Sequence, residues 1–142
     1  MFQTMSNPAA AYTKIGRDMG VEMANPHQLV LMLYDGALLA LGLAVSHLDN
    51  NDKQAMSEEI VRASNIISQG LRDSLDTKVG GELAGRLSSL YDYMNIRLQF
   101  ANIKADKAII EEVSSLLREL KDAWVEIAKD PAVVSAGKEM KG

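Results

Sequence analysis

Apolar residues recur along this chain with the three- and four-residue spacing of amphipathic helices. They do so in four blocks, at about 25–48, 53–75, 82–103 and 106–129. Each block would form a helix about 33 Å long at 1.5 Å per residue. The links between the blocks are short and polar, so sequential helices should be antiparallel neighbours. The pattern therefore predicts an all-α protein, an antiparallel up-down four-helix bundle with an additional N-terminal segment packed on it.

Local signals mark the ends of these helices. Asn25 suits an N-cap and Pro26 suits the first helical position. Paired glycines at 80 and 81 stop the second helix before the third begins. Three regions follow from these boundaries. We expect an N-terminal segment at 1–24, partly mobile or packed over a groove, a bundle at 25–130, and a frayed C-terminal tail at 131–142.

Two of the predicted helices carry more apolar surface than one core face requires. In the third helix the expected core stripe comprises Leu83, Leu87, Leu90, Met94, Leu98 and Ala101. Beside it runs a second stripe of Tyr93, Ile96 and Phe100, which Ile103 could extend. In the first helix, Leu31, Leu38 and Leu39 lie away from the core-facing positions.

Two explanations of this surplus remain open. In the first, the residues are covered within the monomer, by residues 1–24 or by wide helix packing. In the second, they form a groove that receives amphipathic helices of a partner. Both can hold together if the N-terminal segment, through Tyr12 and Ile15, covers the groove until a partner displaces it.

Composition and charge exclude several classes of protein. The 142 residues carry a net charge of −4 without a basic block, so nucleic acid is not expected as a partner. No cysteine is present, and His27 and His47 lie twenty residues apart on one helix, so no metal site is predicted. No catalytic or cofactor motif occurs. The apolar run 29–45 is shorter than the about 20 residues of a membrane span and contains Asp35, so no membrane insertion is expected.

Arg97 falls on the expected core stripe of the third helix, where an unpaired guanidinium would be costly. We therefore expect a carboxylate partner, with Asp35 and Asp76 as candidates. The helical wheel places Asp35 away from the core, which counts against it.

An ordered set of short strings along the chain is typical of one family. The strings are Ala11-Tyr12, Leu33-Tyr34-Asp35-Gly36, Ser74-Leu75-Asp76, Gly80-Gly81-Glu82-Leu83-Ala84, Leu90-Tyr91-x-Tyr93-Met94, Arg97-Leu98-x-x-Ala101-Asn102 and Ala123-Trp124. With these, the chain resembles the flagellin-specific export chaperone family, FliS, over about residues 11–125. Within the set, we expect Leu98 and Trp124 to be core residues.

The resemblance implies a cytoplasmic export chaperone without a cofactor or enzymatic activity. It would bind the disordered C-terminal segment of flagellin, prevent premature polymerisation, and assist delivery to the flagellar type III export apparatus. Export gate components would meet the chaperone in complex with flagellin. The residues named for partner binding are Tyr12, Ile15, Leu31, Leu38, Leu39, Tyr93, Ile96 and Phe100. The alternative is a helical adaptor or regulatory module that binds another amphipathic helix.

Overall fold

The computed structural model describes residues 26–75 and 77–128, and all regular structure within these two ranges is helical. The elements are α1 (Pro26–Asp49), α2 (Lys53–Asn65), a π-helical continuation of α2 (Ile66–Arg72), α3 (Thr77–Lys104) and α4 (Lys107–Ala128). The predicted all-α bundle is therefore confirmed. Tyr12, Ile15 and Asp76 lie outside the described residues, as do the N-terminal segment and the C-terminal tail.

Tight turns join the helices at one end of the bundle. Asn51, with φ 59°, reverses the chain after α1, and asparagine tolerates this left-handed conformation better than most residues. The Asp52 side chain then caps α2 by accepting a hydrogen bond from the Ala55 backbone N–H at 3.0 Å. Asp106 caps α4 in the same way, accepting from Ala108 N–H at 2.9 Å. Such caps satisfy donors that a helix N-terminus otherwise leaves unpaired.

The four helices form a ring in which each one packs on its two neighbours. α1 packs on α2 and α4, and α3 packs on α4 and on α2 with its π-helical continuation. α1 and α3 therefore face each other diagonally across the core. At the end of the bundle that carries the two turns, Lys107 Nζ lies 3.3 Å from Asp49 Oδ1 and ties α4 to α1.

The core is built from one face of every helix. Its fully buried side chains include small residues on α1 and larger ones on the other helices, namely Ala37, Ala40, Leu41, Ala44, Ile60, Ile67, Met94, Leu98, Ile110, Val113 and Leu117. Across the diagonal, the hydroxyl groups of Tyr34 and Tyr91 are hydrogen-bonded at 2.6 Å in the buried interior. Each phenol thus buries an apolar ring and gives its polar end a partner.

The π-helical segment at the end of α2 is not predictable from the spacing, which favours one regular helix over 53–75. Asp73 N–H donates to the Ser68 carbonyl at 3.2 Å, which is the five-residue step of a π-helix. Gly70 lies inside this segment and is buried against Leu33 of α1. A Cβ at Gly70 would approach Leu33 Cδ2 to 2.9 Å, so glycine permits the close approach of the two helices here.

Two residues expected in the α3 core stripe are placed differently. Leu83 is largely exposed and Leu90 is only partly buried, whereas Ala84 and Tyr91 occupy the buried positions. The stripe is thus rotated by about one residue, or 100°, at its N-terminal half. Gly81 has φ 54° and ψ −125°, so the regular part of α3 starts after this kink. Leu98 is fully buried as expected.

Trp124 was expected in the core, and it instead covers the end of the bundle at the start of α1. Its ring stacks on His27 with the centroids 4.4 Å apart and the planes at 10°. Its Nε1 donates a hydrogen bond to the His27 carbonyl at 2.9 Å. Burial lowers the pKa of the His27 imidazole. The contact fastens α4 to the first turn of α1, so Trp124 is partly buried rather than internal.

We predict opposite effects on stability when alanine replaces each of two glycines. Gly70→Ala should lower the free energy of unfolding by about 1–3 kcal/mol, because the new methyl group meets Leu33 in a close-packed core. Gly42→Ala should raise it by roughly 0.5–1 kcal/mol, because Gly42 is exposed on α1 and has open space around it. Urea unfolding of both variants measures the two changes. Equal effects would mean that the close approach at Gly70 is not a constraint.

Candidate partner-binding surface

The second stripe predicted on α3 is exposed to solvent. Tyr93, Ile96, Phe100 and Ile103 follow one another at three- and four-residue steps and are all exposed, Ile96 by 53% and Ile103 by 82%. We refer to these four residues as the α3 stripe. The Nζ of Lys104 lies 5.8 Å from the centroid of the Phe100 ring, at the end of the stripe. The described residues of the bundle thus leave a contiguous apolar surface on α3 uncovered.

The first helix contributes a smaller apolar surface. Leu39 is 65% exposed, and Leu43, one turn further along, is also exposed. We refer to Leu39 and Leu43 as the α1 surface. Leu31 and Leu38 were grouped with Leu39 in the sequence, but both are partly buried, and Leu38 packs against the core. Of the three leucines predicted on this helix, only Leu39 is freely accessible.

The α1 surface and the α3 stripe point to opposite sides of the bundle, because their helices are diagonal neighbours. Between them, on the outer face of α2, lies the exposed Val61. Leu43 lies six residues before the end of α1 at Asp49. Val61 lies eight residues after the start of α2 at Lys53, and Ile96 lies eight residues before the end of α3 at Lys104. All three therefore lie about 9–12 Å from the same end of the bundle.

The fourth helix differs from the other three in its outward face. Exposed side chains on α4 are mainly charged or small, among them Glu111, Ser115, Arg118, Glu119 and Asp122. None of the large hydrophobic side chains described on α4 is exposed. Exposed large apolar side chains among the described residues consequently lie on α1, α2 and α3 but not on α4, and Leu43, Val61 and Ile96 lie at similar heights.

Arg97 has a carboxylate partner, as expected, but the partner is Glu112 of α4. Arg97 Nη2 donates to Glu112 Oε1 at 2.8 Å, and Arg97 Nε also donates to this carboxylate. The Arg97 side chain is only partly buried, so it lies beside the core rather than in it. Asp35 instead pairs with Lys121 of α4 at 2.6 Å. Arg97 lies on the side of α3 that faces α4, whereas Asp35 belongs to α1, which lies diagonally across the bundle from α3.

Glu112 also accepts a hydrogen bond from the hydroxyl of Tyr93, at 2.7 Å from Oε2. The Arg97 guanidinium, together with this hydroxyl, lowers the pKa of the Glu112 carboxyl. Conversely, the hydrogen bond to Glu112 raises the pKa of the Tyr93 phenol. Both shifts favour a charged carboxylate that accepts from a neutral phenol at neutral pH.

The sequence did not single out Leu43 and Val61 for partner binding. Val61 has polar neighbours on its face of α2, including Ser57, Glu58 and Asn65, so no periodic apolar signal marks it. Leu43 follows Leu39 by four residues on α1, and this spacing is a signal that could have found it. Both become apparent once the helices are placed in the ring.

Metal binding and membrane insertion are two alternatives to partner binding for these helices. Among residues 26–75 and 77–128, no group of three His, Cys, Asp or Glu side chains is placed to hold a metal ion. α1 is long and apolar enough to cross a membrane by length and composition alone. In the bundle, however, its buried face forms the core and Asp35 is paired with Lys121. These features define a helical bundle with exposed apolar surface, the class of protein that binds other polypeptides through helix contacts.

Comparison with known proteins agrees with this class and narrows it. The family model described as flagellar protein FliS matches residues 8–131. The flagellar secretion chaperone FliS of Salmonella typhimurium is 45% identical over 118 residues, covering 83% of this chain and 87% of that protein. FliS of Escherichia coli is 41% identical over 124 residues, covering 87% and 91%. FliS of Bacillus subtilis is 37% identical over 120 residues, covering 84% and 85%.

The chain therefore belongs to the FliS family, which is a family of chaperones and not of enzymes. The resemblance seen in the short sequence strings is confirmed, and the match covers all four helices of the bundle.

We predict that polar substitution in the α3 stripe leaves the bundle stable. Ile96→Gln should change the free energy of unfolding by no more than about 0.5 kcal/mol, as is usual for an exposed site. Leu98→Ala, two residues away and fully buried, should lower it by about 2–5 kcal/mol. Thermal or urea unfolding distinguishes them. A large loss of stability in Ile96→Gln would show that the residue is internal, with the stripe covered within the monomer.

Proposed function

We propose that this protein is a cytoplasmic export chaperone that binds the disordered C-terminal segment of flagellin. By covering that segment it prevents premature polymerisation and assists delivery of the subunit to the flagellar type III export apparatus. Export gate components would then meet the chaperone as a complex with flagellin. The observation that carries the proposal is the set of exposed apolar residues on α1, α2 and α3. The names of the relatives support an export role.

A disordered segment suits this surface because it can contact distant patches at once. The α1 surface and the α3 stripe lie on opposite sides, so a single short helix cannot reach both. A flexible chain can place one apolar cluster on each and order only when bound. The ordering cost then offsets part of the contact energy, which permits later release.

The distribution of side chains favours a route over α2. A chain running from Leu43 to Ile96 over this side passes the apolar Val61, whereas the other side presents the charged face of α4. With helices packed 8–10 Å apart, the path around α2 is roughly 40 Å. About 12 residues of extended chain would span it at 3.3 Å per residue. Leu31 and Leu38, at the margin of the α1 surface, would contact the segment only along their exposed edges.

We expect the chain to bind full-length monomeric flagellin of the same bacterium in a one-to-one complex. Calorimetry at several temperatures should give a negative change in heat capacity, because apolar surface is buried. Leu39→Gln, Val61→Gln and Ile96→Gln should each weaken binding by about tenfold, given about 1.4 kcal/mol of apolar burial lost at each site. Glu119→Gln, on the exposed face of α4, is the matched control and should bind as the original chain does.

Two results would contradict different parts of this proposal. Failure of the unaltered chain to bind flagellin would remove the chaperone function. Full affinity in Val61→Gln, with weakened binding in Glu119→Gln, would instead place the segment over α4. The second candidate, a helical adaptor, predicts binding to an unrelated amphipathic helix and equal affinity for flagellin that lacks its C-terminal segment.

We further propose that residues 1–24, through Tyr12 and Ile15, cover part of the apolar surface in the free protein. The support is the presence of apolar residues in a segment outside the four helices, together with the exposed α3 stripe. Deletion of residues 1–20 should therefore increase the fluorescence of an apolar dye such as ANS. Unchanged fluorescence in the deleted chain would count against this cover.

A further inference from the structure

One carboxylate on α4 is shared by two side chains of α3. Glu112 accepts from the Tyr93 hydroxyl through Oε2, at 2.7 Å, and from Arg97 Nη2 through Oε1, at 2.8 Å. Tyr93 and Arg97 are four residues apart and so project from the same side of α3 in successive turns. The guanidinium fixes the carboxylate in place through two of its nitrogens, Nε and Nη2. The carboxylate in turn holds the phenol.

This connection determines where the Tyr93 ring lies. A tyrosine on an exposed helix face would ordinarily sample more than one rotamer. Here its hydroxyl is fastened to the neighbouring helix, while the residue remains 44% exposed beside Ile96 and Phe100. The α3 stripe therefore has a rigid aromatic border on the side of α4.

We propose that Glu112 is a positioning residue for the partner site. By holding the Tyr93 hydroxyl, it keeps the aromatic ring in the orientation that the partner meets, and so lowers the entropy lost on binding. The inference rests on the proposed function, because it assumes that the α3 stripe receives flagellin. An immobilised side chain saves about 2- to 10-fold in affinity when its order is established beforehand.

The other border of the α3 stripe supplies a matched comparison. Arg72, in the π-helical segment, donates to Asp92 of α3 at 2.6 Å. This pair also joins a guanidinium to a carboxylate across two helices at an exposed position. It holds α3 to its neighbour as the Arg97–Glu112 pair does, but the two described contacts of Asp92 are both with Arg72 and none fixes an aromatic ring.

The test compares the affinity of four variants for full-length monomeric flagellin. Tyr93→Phe keeps the ring and the charges but removes the hydroxyl, and Glu112→Ala removes its acceptor. Each should weaken binding by about 2- to 10-fold. The double variant should bind flagellin with the same affinity as the single variant of lower affinity, since both changes break the same hydrogen bond. Asp92→Ala, the control, should bind within twofold of the unaltered chain.

A second measurement reads the ring itself in the free, full-length protein. NMR of protein with selectively ¹³C-labelled tyrosine should show a single χ1 rotamer for Tyr93 in the unaltered chain. In the single variant Glu112→Ala, which retains Tyr93, the same side chain should average between rotamers. The melting temperatures are recorded alongside, so that a merely structural tie between helices is recognised. Such a tie would lower the melting temperature in Glu112→Ala and Asp92→Ala alike, without altering affinity.

Several outcomes overturn the inference. Undiminished affinity of Tyr93→Phe for flagellin would overturn it, even if Glu112→Ala binds weakly, because Glu112 would then act through its charge. Additive losses in the double variant do so as well. If the unaltered chain does not bind flagellin, the proposed function fails together with the inference. If the unaltered chain and Tyr93→Phe bind flagellin with equal affinity, the inference about Glu112 fails while the proposed function stands.

Discussion

The buried hydrogen bond between the hydroxyls of Tyr34 and Tyr91 fixes the relation on which the rest of the structure depends. It joins α1 to α3 across the diagonal of the bundle, through two side chains that are almost fully buried. Because the two helices face each other in the core, their outward faces point in opposite directions. A buried hydroxyl without a partner would be costly, so the pair favours this rotation of the two helices over others that bury as much apolar surface.

The same arrangement turns several apolar side chains of α1 and α3 towards solvent. Turning Tyr91 inward places Ile96 outward and Arg97 towards α4, where Glu112 neutralises it. On α1, Asp35 turns to Lys121, so each of the two helices has an ion pair with α4. The exposed leucines, valine and isoleucines are left on the three remaining helices. A flexible apolar segment that wraps the bundle is the occupant we propose for such a distribution, since the contacts it requires are spread over several faces.

Local signals in the sequence were sufficient for what depends on one helix at a time. Pro26 stands at the start of α1, and Leu98 and Ile96 lie on the inner and outer faces predicted for them. Gly81, which was expected to stop the second helix, instead kinks α3. Features that depend on the packing of two helices could not be predicted from such local signals. The partner of Arg97, the exposure of Leu83 and the burial of Leu38 follow from how α3 and α1 rotate against their neighbours. The close approach of Gly70 to Leu33 also involves two helices, and no periodicity expresses it.

We propose that a flagellin segment covers Leu39, Val61 and Ile96 and leaves the outward face of α4 exposed. Methyl NMR of the complex, with a soluble paramagnetic agent, tests it directly because the agent relaxes only methyl groups that reach solvent. We expect the methyl groups of Leu39, Val61 and Ile96 to be shielded in the complex and that of Ala108, exposed on α4, to be relaxed strongly. Shielding of Ala108, with Leu39, Val61 and Ile96 still accessible to the agent, would contradict it.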